Sequence, residues 1–343
     1  MVDVDIEVAF NYVNTGDRYD RKVTVVDNIF ASAVALAVSR DILDPEPKSI
    51  LECQKRSDWI KWKEAIQAEL DSLNKRNVFG PVVQTPNNVI PVGYKWVFVR
   101  KRNDKNEVVR YKARLVAQGF LQRPSIDFDE TYSPVMDGIT FRYLVSMAVK
   151  ERLDMRLMDV VTAYLYGSLD ADIYMKVLDG LKIPNMGAQD TRSMYSIKLQ
   201  RSLYGLKQSG RMWYNRLREY LLKQNYVNNE ICPCVFIKKL LNGFVIIAVY
   251  VDDMNIIGTP KELDEARSCL TKEFEMKDLG QIKYYLGLQI EHLPKGVFLH
   301  ESNYVKKVLK KFYMDKSFPL STPMVVRSLE VSRDPFRPKE VNE

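Results

Sequence analysis

At 343 residues, with a formal net charge of +7 and a pI of about 9.0, the chain can bury a large core and suits a polyanionic partner. Its four cysteines, Cys53, Cys232, Cys234 and Cys269, exclude a disulfide framework, and Cys232-Pro233-Cys234 has no second Cys/His pair to complete a zinc site. No signal-peptide pattern and no apolar run of transmembrane length occurs, so an intracellular protein with no membrane partner is expected, in the cytoplasm or the nucleus.

Residues 1–57 form a flank of uncertain fold, broken at Asp44-Pro45-Glu46-Pro47. Ser57 and Asp58 can cap a following helix, in which Trp59, Trp62, Ile66, Leu70 and Leu73 recur at helical spacing. Val89–Gln118 reads as a long hairpin, with arms Gly93–Lys101 and Val108–Gln118 around a turn at Asn103–Asn106. Arg110, Lys112 and Arg114 alternate with Tyr111, Ala113 and Leu115, which puts three cations on one face. That face is either a phosphate-binding surface or a solvated one. Ile139–Lys150 is apolar enough to be a buried helix.

Leu153–Val160 is a strand whose alternation places Asp159 at the end of an apolar face, as a buried polar partner or a metal ligand. Tyr164, five positions on, can stack under a sugar or belong to the core. Ser202–Ser209 (SLYGLKQS) is a glycine-containing turn entering a helix that carries Trp213, Leu217, Tyr220 and Leu221 on one side.

Phe244–Gly258 (FVIIAVYVDDMNIIG) organises the rest. An unbroken apolar run stops at Asp252-Asp253 and then resumes, which describes a hairpin with two carboxylates at its tip. Adjacent aspartates among core residues repel one another and lose hydration, and a divalent cation removes that conflict. The bland alternative uses Asp-Asp simply as turn residues. Beyond the hairpin, Thr259 and Glu262 form a capping box with Pro260 at the first helical position. Tyr284–Glu291 with Val297–Leu299 reads as a further hairpin, and Tyr304–Phe312 as a short basic helix.

Several of these stretches occur together in one order: Trp59–Leu73, YKARLVAQGF at Tyr111–Phe120, TYSPV at Thr131–Val135, MDVVTAYLYG at Met158–Gly167, SLYGLKQS, YVDDMNIIG at Tyr250–Gly258 and MKDLG at Met276–Gly280. That order resembles the copia-type reverse transcriptases of LTR retrotransposons. The resemblance implies an α+β right-hand polymerase fold with fingers, palm and a partial thumb. It implies a reverse transcriptase domain over residues 58–324 and a flexible tail over 325–343 that stops short of an RNase H domain. It further implies an RNA-directed DNA polymerase that uses two Mg²⁺ ions, with Mn²⁺ as a substitute. Its partners would be an RNA or DNA template with primer, and deoxynucleoside triphosphates, in a virus-like particle or the nucleus.

Carried over by residue, Asp159, Asp252 and Asp253 become the catalytic and metal-binding carboxylates. Lys112, Arg114, Tyr164, Gly205, Lys207 and Gln208 become nucleotide contacts, with Tyr164 excluding a ribose 2′-hydroxyl and either Lys112 or Arg114 meeting the triphosphate. Tyr250, Leu286 and Gly287 fall where primer and template are gripped. The chain departs from the family at Val161, Gly210 and Ser125, where Lys, Pro and Gly are common. A silent remnant that keeps the fold and at most binds nucleic acid is the alternative reading.

Overall fold

The computed structural model describes residues 45–317, apart from 104–106, 184–185, 188, 242 and 295. The expectations for residues 1–44, for 104–106 of the hairpin turn and for the tail lie outside these residues. The described residues fall into two compact units, divided between Leu299 and His300.

The first unit opens with helix α1 (Ile50–Gln54) and helix α2 (Trp59–Lys75). Asp58 stands at the N-cap of α2 but makes no capping bond. Its carboxylate goes to Arg56 (3.3 Å) and Arg100 (3.8 Å) instead. Strand β1 (Phe79–Gln84) follows, then the basic hairpin, β2 (Tyr94–Arg102) paired antiparallel with β3 (Val108–Ala117). The inner face of β3 packs on α2, with Trp62 edge-on to Tyr111 at 4.7 Å and to Phe98 on β2 at 5.4 Å. Buried Cys53 joins this cluster, so part of the N-terminal flank folds onto the hairpin.

Helix α3 (Gly138–Glu151) is not buried throughout, as its composition suggested. Phe141, Leu144, Val145 and Ala148 face the core, while Ile139, Tyr143 and Val149 face solvent. It delivers the chain into β4 (Asp154–Val160). Strands β5 (Tyr174–Lys176) and β6 (Tyr195–Leu199) then join β1 in a three-stranded antiparallel sheet of order β1-β6-β5, with β6 in the middle. Helix α4 (Ser209–Lys223) follows, and after it β7 (Val227–Asn228), β8 (Val235–Leu240), β9 (Gly243–Tyr250) and β10 (Asp253–Gly258). Helix α5 (Pro260–Glu273) starts at the expected capping box, with the Thr259 N–H donating to Glu262 at 2.8 Å. Strand β11 (Met276–Gln281) closes a six-stranded sheet of order β11-β4-β10-β9-β8-β7, antiparallel throughout.

Both faces of that sheet are covered, which is why β9 reads as an unbroken apolar run. On one side α4 and α5 bring Trp213, Leu217, Leu270 and Phe274 against Met158, Ile247, Met254 and Ile256. On the other, α3 and the small sheet of β12 (Tyr284–Tyr285), β13 (Leu288–Leu293) and β14 (Gly296–His300) cover Met155, Leu157, Ile246 and Ile257. Each such fully buried side chain contributes on the order of 1.5–3 kcal/mol. A brace ties α2 to β11, because Glu275 takes Lys75 (2.6 Å) and Arg76 (3.0 Å), and Arg76 lies over the Tyr166 ring at 4.0 Å. The second unit contains the expected basic helix, α6 (Ser302–Lys311). No helix among the described residues is long and apolar enough to cross a membrane.

Candidate active site

The centre of the six-stranded sheet sets the site. Strands β4 and β10 are antiparallel neighbours, and their register places Asp159 opposite Asp253. Directly opposed residues lie about 4.5–5.5 Å apart at Cα and project to the same face. Asp253 also pairs with Tyr250 across the hairpin, so the turn is only Val251-Asp252. The carboxylates therefore do not share the tip, as the sequence suggested. Asp253 begins a strand and Asp252 stands in the turn beside it.

That turn is strained. Val251 has φ of +55°, a left-handed conformation that a β-branched residue adopts at a cost. Two bonds hold it. The Trp213 indole N–H donates to the Val251 carbonyl at 2.8 Å, and the Val160 N–H donates to the Asp252 carbonyl at 2.9 Å. Trp213 is itself fixed between Tyr166 and Phe274, at 5.9 and 5.2 Å.

Burial pushes the Asp252 carboxyl up to about 6, and Asp159 and Asp253 push the same way against the pull of Arg114 and Lys112. Asp253 is raised as well, by burial and then by Asp159. The Oδ1 of Asp252 is buried without a hydrogen-bond partner. Three like-charged oxygen donors, one with an orphaned oxygen, form a donor set suited to a hard divalent cation. The set is not a closed cage, since no group of three His, Cys, Asp or Glu among the described residues converges to metal-holding distance.

A cleft of about 280 Å³ opens beside these carboxylates, lined by Asp159, Asp252, Lys112, Arg114, Thr162 and Tyr204 among others. The β3 cations thus face the acidic side of the cleft. Lys112 is lowered by burial and by Arg114, Lys101 and Arg110 nearby. Neither Lys112 nor Arg114 has an ion pair among the described residues. Tyr164 sits half-buried in the turn Ala163–Tyr166 after β4, packed on Tyr204 at 5.7 Å between ring centroids. A larger hollow of about 650 Å³ between α4 and α5 carries mixed charge, from Lys261, Asp264, Glu265 and Lys272, and lies apart from the aspartates.

The SLYGLKQS turn enters helix α4 as expected, and its glycine answers to the fold. Gly205 has φ of +90°, and a Cβ there would overlap the Ala117 carbonyl oxygen on β3. Its glycine is required by the β3 backbone. Gly119 faces the same contact from the other side, where a Cβ would meet the Gly205 carbonyl. Lys207 is exposed. The structure does not bring Gln208 to the cleft. That side chain is 0% exposed, and its amide accepts from Gln122 (3.0 Å) and donates to the Asp127 carbonyl (2.9 Å). Gln122 in turn accepts the Lys207 N–H at 2.8 Å. Tyr250 is exposed, with its ring edge toward buried Tyr285 at 6.5 Å, and Leu286 and Gly287 form the positive-φ turn between β12 and β13.

Sequence reasoning does not find Trp213, which reads as a packing residue, nor Gln122 and Tyr204, which stand unmarked in or beside their motifs. A lone indole N–H on an otherwise apolar helix face is the available signal for Trp213, since such donors seek a partner when buried.

Residues 77–326 match the family described as reverse transcriptase (RNA-dependent DNA polymerase). The chain is 37% identical over 285 residues to the retrovirus-related Pol polyprotein from transposon TNT 1-94 of Nicotiana tabacum, covering 82% of this chain and 21% of that protein. It is 32% identical over 319 residues to the Pol polyprotein from transposon RE1 of Arabidopsis thaliana, covering 93% of this chain and 21% of that one. The chain thus spans about a fifth of the length of these relatives. A Candida albicans telomerase structure with an RNA fragment aligns at 10% identity and a TM-score of 0.35, over 74% of this chain and 55% of that one, too distant to carry weight. The family match spans most of the chain and includes both strands that bear the aspartates, so the chain belongs to the reverse transcriptase family, and its relatives are the Pol polyproteins of copia-type plant retrotransposons.

Proposed function

We propose that the chain is the RNA-directed DNA polymerase module of a copia-type retrotransposon, extending a primer with deoxynucleotides in the cleft between β3 and β4. The observation that carries this reading is the register of Asp159 against Asp253, with Asp252 in the adjoining turn and Lys112 and Arg114 lining the same cleft as Asp159 and Asp252. In this reading the six-stranded sheet with α3, α4 and α5 is the palm, and the β2–β3 hairpin with α2 belongs to the fingers.

Asp159, Asp252 and Asp253 would hold two Mg²⁺ ions. Bound there, the ions supply Lewis acidity to the primer 3′-hydroxyl and offset charge on the departing pyrophosphate. Lys112 and Arg114 neutralise the triphosphate from the opposite wall. Tyr164 lies under the sugar and leaves no room for a 2′-hydroxyl. Tyr250 and the Leu286-Gly287 turn contact the primer strand, and exposed Lys207 meets template or nucleotide phosphate.

The test is primer extension on an RNA template with Mg²⁺ and deoxynucleotides, comparing the parent with Asp252→Asn. Extension by the parent alone supports the reading. A folded parent that binds template and extends nothing overturns it in favour of the silent remnant.

A further inference from the structure

Arg114 presents a puzzle. Its guanidinium has five donors, yet among the described residues no hydrogen bond or ion pair engages it. Glu69 on α2, which lines the same cleft, accepts the Leu115 N–H at 3.2 Å instead. What holds Arg114 is an aromatic face, because its guanidinium carbon lies 4.3 Å above the centroid of the Tyr204 ring. The same ring packs against Tyr164 at 5.7 Å, with the two planes tilted by 59°. Tyr204 itself is enclosed by its neighbours. It is 5% exposed, and its backbone carbonyl accepts the Ala117 N–H of β3 at 2.7 Å. Its hydroxyl is buried without a partner.

We infer that Tyr204 is a positioning residue for substrate selection. Its ring holds Arg114 toward the triphosphate and supports Tyr164 beneath the sugar, so one side chain sets both contacts. The inference rests on the polymerase reading above. An unpaired arginine loses rotamer freedom when it takes up a phosphate, and the ring removes part of that loss in advance. A tyrosine that guards the 2′ position discriminates only if it cannot retreat, and Tyr204 blocks the retreat. Because the hydroxyl makes no bond, the role belongs to the ring alone.

The experiment compares dTTP with UTP, with dUTP as the control that differs from UTP at the 2′ position alone, on the parent, Tyr204→Phe and Tyr204→Met, by primer extension on a poly(A) template and by equilibrium binding of each triphosphate with Mg²⁺. Tyr204→Phe should match the parent within about twofold. Tyr204→Met should raise KM for dTTP about tenfold with kcat changed far less, the order that a desolvated cation–π contact supports, and should lower the dTTP/UTP preference by a similar factor. A merely structural role would lower kcat for both triphosphates together and leave their ratio intact, and that result would overturn the inference. Should Tyr204→Met not fold, pentafluorophenylalanine at position 204 keeps the ring's shape and reverses its quadrupole, and it must weaken dTTP binding for the inference to stand. If the parent extends no primer but binds dTTP over UTP, and Tyr204→Met loses that preference, the polymerase reading fails while this inference survives. If the parent binds neither triphosphate, both fall.

Discussion

The indole of Trp213 donates to the carbonyl of Val251 at 2.8 Å, and Val251 is the residue of the aspartate-bearing turn held at φ of +55°. A helix on one face of the sheet thereby holds a strained turn at the end of two of its strands. Trp213→Phe keeps the ring contacts and removes the donor. We predict a loss of about 1 to 2 kcal/mol in stability, with a larger fall in primer extension, since Asp252 sits in the freed turn. Val251→Gly removes the need for the bond. In the double variant the effect of Trp213→Phe should shrink by about 1 kcal/mol, and a fully additive cycle measured by urea unfolding would sink the idea.

Asp252 gives a prediction in pH. Its folded pKa, about 6, lies above its unfolded value of about 4, so the folded state binds the proton more tightly. Stability from this group is therefore fully present below about pH 4 and is lost as pH rises through 6. Asp252→Asn carries no charge to bury. Without divalent ions at pH 7 the variant should be more stable than the parent, by on the order of 1 to 2 kcal/mol after discounting for partial exposure, and the gap should close below pH 4. Mg²⁺ should raise the parent's melting temperature and leave the variant's nearly unchanged. Parallel melting curves across pH, with and without Mg²⁺, decide it.

The aspartate hairpin is legible because its signal is local. An apolar run broken by two carboxylates and then resumed specifies strand, turn and strand within fifteen residues, and β9 and β10 fall within a residue or two of their expected bounds. The cation face of β3 follows from period-two alternation for the same reason. Whether those cations meet the aspartates is a question of non-local packing, and no window of sequence contains it. The exposed side of α3 and the ion pairs of Asp58 are invisible for that reason as well. Gln208 misleads because a polar residue in a glycine motif suggests a ligand, whereas here its partner, Gln122, lies far away in the chain.

That buried amide pair separates two roles within one motif. Gln208→Ala removes a side chain that is 0% exposed and leaves Gln122 short of a partner. It should cost roughly 2 kcal/mol in stability and change KM for dNTP only through loosening of the turn. The exposed neighbour Lys207 should behave oppositely. Lys207→Ala is expected to leave the melting temperature within about a degree or two, to weaken template binding, and to flatten its salt dependence. Template affinity measured at several salt concentrations, alongside thermal melts, reads both.

Positive backbone angles supply the last test, because the chain answers them in two ways. At Gly205 the angle is +90° and a Cβ would overlap the Ala117 carbonyl, so Gly205→Ala should cost about 3 kcal/mol or more and prevent β3 from seating on the turn. At Ser125 the angle is +59°, yet the residue is not glycine. Its N–H donates to the Phe128 carbonyl at 2.8 Å, so the turn that imposes the angle is hydrogen-bonded. A serine there carries the left-handed penalty, roughly 1 kcal/mol, part of which glycine returns as unfolded-state entropy. Ser125→Gly should therefore stabilise the chain by a few tenths of a kcal/mol to about 1 kcal/mol, without altering activity. A destabilised Ser125→Gly, measured by chemical denaturation, would show that the serine makes a compensating contact outweighing its backbone angle.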